Sequence, residues 1–113
     1  MRHDDAYLLD MLLAAREAGT FIVGLTFPEF KRNRMAQLAI LKAVELVGEA
    51  ASQISPEGKE AHPEIPWAKI IGMRNRLVHG YFNIKLERVW ETVQQDLPHL
   101  VALLEPLVPP EET

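Results

Sequence analysis

The sequence predicts an all-α protein, an up-and-down bundle of four to five helices. Apolar residues recur at intervals of three and four rather than two, which is the period of a helix buried along one face. Proline and glycine fall mostly between these periodic runs. The chain has 113 residues, no cysteine and 48% hydrophobic residues, which suits one domain with one core. We expect a single helical domain over residues 1–113, with a frayed tail from about residue 107.

The first helix is expected from about Asp5 to Gly19, with Asp4 or Asp5 as its N-cap. Four leucines and one alanine form its predicted buried stripe: Leu8, Leu9, Leu12, Leu13 and Ala15. The helix is expected to continue over residues 21–23, although aromatic and β-branched residues also favour an extended segment there.

The second helix has a recognisable start, because Thr26 can cap it, Pro28 suits the first turn and Glu29 completes a capping box. We expect it to run unbroken to about Gln53. Its predicted core stripe consists of small and branched apolar residues: Ala36, Ile40, Ala43, Val47, Ala50 and Ile54. Its first turns hold three basic residues, Lys31, Arg32 and Arg34. Cations are unfavourable near a helix N-terminus, so these side chains indicate a solvated turn, with an acidic partner or RNA backbone as the alternative.

Residues 55–66 contain three prolines and a glycine, so they form the longest predicted connection, with one helical turn after Pro56. The third long helix is expected from Pro66 or Trp67 to His79, where Gly80 can form a C-terminal cap.

The fourth helix is expected over residues 84–104, capped by Asn83. Pro98 lies inside it. Because proline removes one backbone hydrogen bond and clashes one turn back, a kink or break is expected near Asp96.

Positive charge is concentrated in one region of an acidic chain. The net charge is −4 and the isoelectric point is near 5.5, which argues against a general nucleic-acid coat. Residues 66–90 nevertheless hold five basic residues and one glutamate, a net charge of +4. Such a local patch can engage phosphate at one site, and Lys69 and Arg76 are candidate phosphate-binding residues within it.

The segment RNRLVHGY lies inside this patch. Arg74 offers a planar fork for phosphate and His79 can exchange protons near neutral pH, while Asn75 and Tyr81 can orient them. These groups are typical of a metal-free phosphodiesterase. Arg74 and His79 differ by about 140° around an ideal helix, so a two-fold dimer that joins two such helix ends is the preferred arrangement. The alternative is a solvated helix end with a capping histidine.

Other residues carry weaker signals. Glu49 follows Gly48 in an apolar stretch, and we expect a semi-buried acid there with Arg74 or Arg76 as its partner. Trp67 and Trp90 are interpreted as core or interface anchors, with base stacking as the alternative. No ligand-like spacing of histidines or acids is present, so we expect no metal and no cofactor. No apolar run is long enough to span a membrane, and a cytoplasmic location is expected.

Three stretches together resemble a known family. IPWAKIIGMRNRLVHGYF at residues 65–82, LKAVELVGEA at 41–50 and VWETVQQDLPHL at 89–100 are similar to the DUF86 or HepT-like branch of the HEPN domains. The resemblance covers about Asp10 to Leu104 and includes an intact Arg-x4-His-x-Tyr motif.

This resemblance implies a dimeric bundle in which the motifs of both subunits line one cleft. It further implies a toxin that acts as a metal-independent RNA endonuclease, with Arg74 and His79 as the catalytic pair and Asn75 beside them. The implied antitoxin is MntA, a minimal nucleotidyltransferase that neutralises the toxin by adding AMP to Tyr81. Two alternatives remain: a non-catalytic subunit that binds nucleotide or RNA and partners the nucleotidyltransferase, and a structural dimer whose cationic cleft serves another acidic partner.

Overall fold

The part of the chain that the structure describes is helical, without β-strands. In the computed structural model this part comprises residues 3–79 and 85–108, apart from the side chains of 77–79. The α-helices in chain order are α1 (Asp4–Thr20), α2 (Phe27–Lys31), α3 (Arg34–Gln53), α4 (Pro56–Ala61), α5 (Trp67–His79), α6 (Leu86–Glu91) and α7 (Leu97–Leu104). A π-helical segment, Thr92–Asp96, joins α6 to α7. The all-α prediction is confirmed.

Helix α3 lies in the middle of the bundle. It packs against α1 on one side and α5 on the other, and α1 also packs against α7. Every residue of the stripe predicted for α3 is buried. The largest side chains with almost no exposed surface come from several elements: Met11, Phe30, Ile40, Val47, Ile65, Val93 and Leu104. The core is therefore continuous from α1 to α7, with α3 as its centre.

Helix α1 departs from the prediction at both ends and in its buried face. His3 occupies the N-cap position in place of Asp4 or Asp5, and the helix ends at Thr20. Residues 21–24 form hydrogen-bonded turns that finish at Gly24, whose φ of 79° suits glycine. Leu13, predicted to be buried, is 43% exposed, whereas Met11 is fully buried. The predicted stripe is wrong there because α3 and α7 contact a face rotated toward Met11.

The second predicted helix is two helices. The capping box of Thr26 and Glu29 is present and starts α2, as predicted. The side chain of Asn33 then accepts a hydrogen bond from the Ala36 amide at 2.9 Å and starts α3. The buried amide of Gln37 stabilises the break, because its Nε2 donates to the carbonyls of Phe30 and Lys31, each at 3.0 Å.

The break between α2 and α3 changes where the basic residues lie relative to the helix ends. Lys31 is the last residue of α2 and Arg32 follows it, so both lie at the end of a helix where the dipole favours positive charge. The unfavourable placement predicted for them is therefore wrong, and only Arg34 lies in a first turn.

The later elements follow the prediction closely. The short helix α4 lies where one turn was expected after Pro56, and α5 ends at His79. The kink or break predicted near Asp96 is present as a break, because a π-helical segment interrupts the α-helix and ends at Asp96, directly before α7. Helix α6 begins at Leu86 with Lys85 in the N-cap position, two residues later than predicted. The predicted caps Gly80 and Asn83, with Ile84 and the end of the tail at residues 109–113, lie outside the described residues.

Candidate functional site

Arg74 is held on α5 by direct contact with α3. A β-carbon placed on Gly48 would lie 2.8 Å from Cγ of Arg74 and 3.2 Å from the carbonyl oxygen of Ile70. Real β-carbons rarely come this close to other atoms, so the two helices approach at a distance that only glycine permits. The stem of Arg74 fills the space above Gly48, and this packing fixes where its guanidinium begins.

The guanidinium of Arg74 is not neutralised by any carboxylate in the described part of the chain, where the ion pairs involve other residues. Its Nη1 donates to Oδ1 of Asn75 at 3.2 Å, which brings two of the predicted site residues together. Its Nε is buried and has no hydrogen-bond partner among the described residues. A buried donor without an acceptor is uncommon in folded proteins, which sets Arg74 apart from the other cations of α5.

Glu49 does not lie where it was predicted. It is exposed, which corrects the expectation of a semi-buried acid. It lines a groove between α1 and α3 together with Asp10 and Glu17. Adjacent residues point about 100° apart on a helix, so Glu49 faces away from the contact between Gly48 and Arg74. Within the described residues no ion pair joins Glu49 to Arg74 or Arg76.

The other cations of α5 do not cluster with Arg74. Arg76 is exposed and lies about 160° from Arg74 around the helix. Lys69 is also exposed, and its Nζ lies 3.7 Å from Oδ2 of Asp96. Of the three, only Arg74 packs into the interface between α3 and α5.

His79 and Tyr81 complete the predicted motif. His79 is the last residue of α5, five residues after Arg74, but its side chain lies outside the described residues. Tyr81 lies outside them entirely. The backbone therefore places His79 about 7.5 Å along the helix axis from Arg74, and their side-chain geometry stays a prediction.

The two tryptophans are packing residues, as predicted. Trp67 is half-buried and its Nε1 donates to the carbonyl of His62 at 3.0 Å. The ring of Trp90 lies 5.1 Å from that of Phe30 and 5.8 Å from that of Phe27, centroid to centroid. These contacts attach α2 to α6.

The described residues contain no group of three or more histidine, cysteine or acidic side chains that could hold a metal ion. None of their helices has the length and apolar character needed to cross a bilayer.

Gly48 is the site residue that sequence reasoning missed. A glycine inside a helix destabilises it by roughly 0.5–1 kcal/mol relative to alanine, so its place within a 20-residue helix is a usable signal of close backbone approach.

The sequence profile of the family described as Ribonuclease HepT-like matches residues 11–107. The chain belongs to the HepT-like family. The protein named "Probable ribonuclease HepT" from Thermococcus cleftensis is 36% identical to this HepT-like chain over 105 residues, which are 93% of this chain and 94% of the relative. The protein named "Putative RNase MJ1380" from Methanocaldococcus jannaschii is 35% identical over 95 residues, 84% of this chain and 87% of the relative. No solved structure matches at a comparable level.

Proposed function

We propose that this HepT-like protein is a metal-independent RNA endonuclease whose site combines Arg74 and His79. One observation carries the proposal. The Arg74 guanidinium is anchored on Gly48 without a carboxylate partner in the described residues, and its buried Nε lacks an acceptor there. An anchored and unneutralised guanidinium is suited to a phosphate, since it can donate two parallel hydrogen bonds to phosphate oxygens. The names of the relatives support the choice of RNA as the substrate.

The proposed reaction needs one base, one acid and one cation. His79 accepts the proton of a ribose 2′-OH as that oxygen forms a bond to the adjacent phosphorus. The bond from phosphorus to the 5′-oxygen of the next nucleotide breaks, and a protonated imidazole supplies that oxygen with its proton. Arg74 stabilises the charge that builds on the phosphoryl oxygens, and Asn75 orients the guanidinium. The products are a 2′,3′-cyclic phosphate and a 5′-hydroxyl end.

The acid and the base come from two subunits in this proposal. His79 at the tip of α5 is far around the helix from Arg74, so one chain presents them poorly to a single phosphate. A homodimer with two α5 tips facing each other across a two-fold axis supplies two arginines and two histidines to one cleft. Lys69 and Arg76, which are exposed, then contact neighbouring phosphates of the RNA.

The proposed regulation acts on Tyr81. A minimal nucleotidyltransferase of the MntA type transfers AMP from ATP: the tyrosine oxygen bonds to the α-phosphorus, pyrophosphate leaves, and the phenol proton passes to solvent. The added phosphate and adenosine would repel and block an RNA backbone near Arg74. The protein would thus be the toxin of a toxin–antitoxin pair in the cytoplasm.

A cleavage assay with defined RNA tests the nuclease directly. The unmodified protein is incubated with labelled RNA, with the same RNA carrying 2′-deoxy sugars, and with RNA plus excess chelator. We expect cleavage of the RNA alone, resistance of the deoxy substrate, and no effect of the chelator. Activity that disappears with chelator, or that persists in His79→Ala, contradicts the mechanism. Intact RNA combined with AMP transfer to Tyr81 would instead favour the non-catalytic subunit.

A further inference from the structure

A cavity of about 140 Å³ lies between α3, α5 and the π-helical segment with the following α7. Its walls are mostly apolar and include Val44, Val47, Ile70, Met73 and Leu100. Lys69, Asp96 and His99 also line it, and because all three are exposed the cavity opens to solvent on their side. The cavity therefore combines an apolar interior with a polar mouth.

Arg74 does not itself line the cavity, but the cavity borders the contact between α3 and α5 in which its stem is packed. On α3, Val47 lines the cavity and the next residue, Gly48, receives the stem of Arg74. On α5, Met73 lines the cavity immediately before Arg74, and the carbonyl of Ile70 faces Gly48. Ile70 therefore belongs to both places, and the cavity and the anchored stem of Arg74 share the contact between α3 and α5.

The size of the cavity selects its ligand. An apolar cavity of about 150 Å³ holds one benzene molecule, so the volume of this cavity matches a single six-membered ring, and the second ring of a purine would have to extend through the open mouth. Resting on the proposed nuclease function, we propose that this cavity binds the pyrimidine base of an RNA nucleotide next to the phosphate held by Arg74. The protein would then cleave beside uridine or cytidine in preference to adenosine or guanosine.

The mouth of the cavity supplies partners for the polar edge of the base. Lys69 and Asp96 form an ion pair at 3.7 Å, and their side chains are 62% and 46% exposed. Exposed pairs of this kind contribute little to stability, so both groups can turn to a ligand at small cost. Asp96 can accept from a ring N–H or an exocyclic amine, and Lys69 can donate to a carbonyl or to the phosphate.

The π-helical segment shapes one side of the cavity. Thr92 and Asp96, its first and last residues, both line the cavity. The hydroxyl of Thr92 donates to the carbonyl of Arg88 at 3.0 Å, so it is already satisfied and leaves the inner wall effectively apolar. Single π-helical turns are rare and occur often at functional sites, which agrees with a binding role for this segment.

Two measurements test the proposal, and the first does not depend on cleavage. Uridine and guanosine monophosphates are titrated into unmodified protein while the methyl signals of Val47 and Met73 are followed by NMR. We expect uridine monophosphate to shift these signals and to bind at least about tenfold more tightly than guanosine monophosphate, a difference of about 1.4 kcal/mol. Val47→Phe should fill the cavity and abolish this preference, whereas Leu46→Phe adds the same ring at a position that is 41% exposed and should preserve it.

The second measurement maps the ends that the protein produces from RNA of mixed sequence. Cut sites beside pyrimidines, with a preference that Lys69→Ala weakens, support the proposal. Equal cleavage beside all four bases, with no binding of uridine monophosphate, overturns it and leaves the nuclease proposal intact. Pyrimidine binding in the cavity of a protein that cuts no RNA supports the base site and overturns the nuclease. Binding of N-acetylphenylalanine amide without any binding of uridine monophosphate assigns the cavity to a protein side chain and also overturns the proposal.

Discussion

Arg74 and Gly48 lie against each other across the interface of α5 and α3. The side chain of Arg74 fills the space that any side chain at position 48 would need. The same contact that lets two core helices pack closely therefore positions the cation proposed to bind phosphate. Folding and function are coupled at this contact, so a substitution that disturbs its packing should affect both, whereas one that removes only the guanidinium should affect function alone.

Gly48→Ala is the most direct test of this coupling. The added methyl group would collide with Cβ and Cγ of Arg74 and approach the backbone of Ile70. We expect the free energy of unfolding to fall by about 1–3 kcal/mol, as for other overpacked cores, and RNA cleavage to fall with it. Urea unfolding and the cleavage assay measure the two effects.

Gly72→Ala is the matched control for Gly48→Ala. Gly72 lies in the middle of α5, and a β-carbon there meets nothing within 4 Å. Alanine should therefore raise stability by up to about 1 kcal/mol through its better helix propensity. Equal stabilities of the Gly48 variant and the parent protein would contradict the close contact.

Arg74→Gln separates catalysis from folding, because it keeps the Cβ and Cγ atoms that pack over Gly48 and removes the guanidinium. The guanidinium pairs with no described carboxylate and its Nε makes no hydrogen bond there, so its loss should change the free energy of unfolding by less than about 1 kcal/mol. The cleavage rate at saturating RNA should fall by about 100-fold or more, as when a transition-state donor is removed elsewhere.

Arg16→Ala serves as the comparison, because Arg16 is an exposed arginine of α1 that pairs at 3.7 Å with Glu105. Its cleavage rate should equal that of the parent protein. A matching loss of rate in both variants would show a general charge effect rather than a role for Arg74.

The contact between Asp4 and Ser55 makes stability depend on acid pH. The hydroxyl and the amide of Ser55 donate to the carboxylate of Asp4 at 2.6 and 3.0 Å, and these hydrogen bonds lower the pKa of Asp4 below its usual 3.8. A lowered pKa stabilises the fold above the unfolded value, and this contribution is lost as the pH falls through the folded value. Asp4→Asn should therefore destabilise the protein at pH 7.

Unfolding by urea at pH 7 and near pH 3 measures this dependence. The difference between Asp4→Asn and the parent protein should shrink at the lower pH, since the Asp4 carboxyl is then largely protonated in the unfolded chain and the charged form stabilises the fold less. Asp5→Asn, on the exposed side of the same helical turn, is the control. A difference that is constant with pH would mean that Asp4 acts only through its shape.

Phe30→Ala tests how α2 is attached to the bundle. Phe30 has no exposed surface and its ring packs on that of Trp90. Removal of such a ring destabilises a core by about 3–5 kcal/mol. Thermal or urea unfolding should show this loss, whereas Val23→Ala, at a position 79% exposed, should stay within about 0.5 kcal/mol of the parent protein. A small effect at Phe30 would indicate that α2 is not part of the core.

The sequence was sufficient for features that depend on neighbours along the chain. The spacing of apolar residues gave the all-α class and the buried stripe of α3, and proline gave the break before α7, because both act within one or two helical turns. The capping box of Thr26 and Glu29 was also readable. The division at Asn33 was missed, since it depends on the amide of Gln37 reaching back to two carbonyls at the end of α2.

Only the tertiary structure decided what surrounds Arg74. The motif identified this residue, but its contact with Gly48 and its unpartnered Nε arise where α5 meets α3, 26 positions apart in the sequence. The cavity beside it needs a third element, the π-helical segment. Local periodicity states which face of a helix is buried, whereas the rotation and distance of two packed helices depend on all the side chains between them.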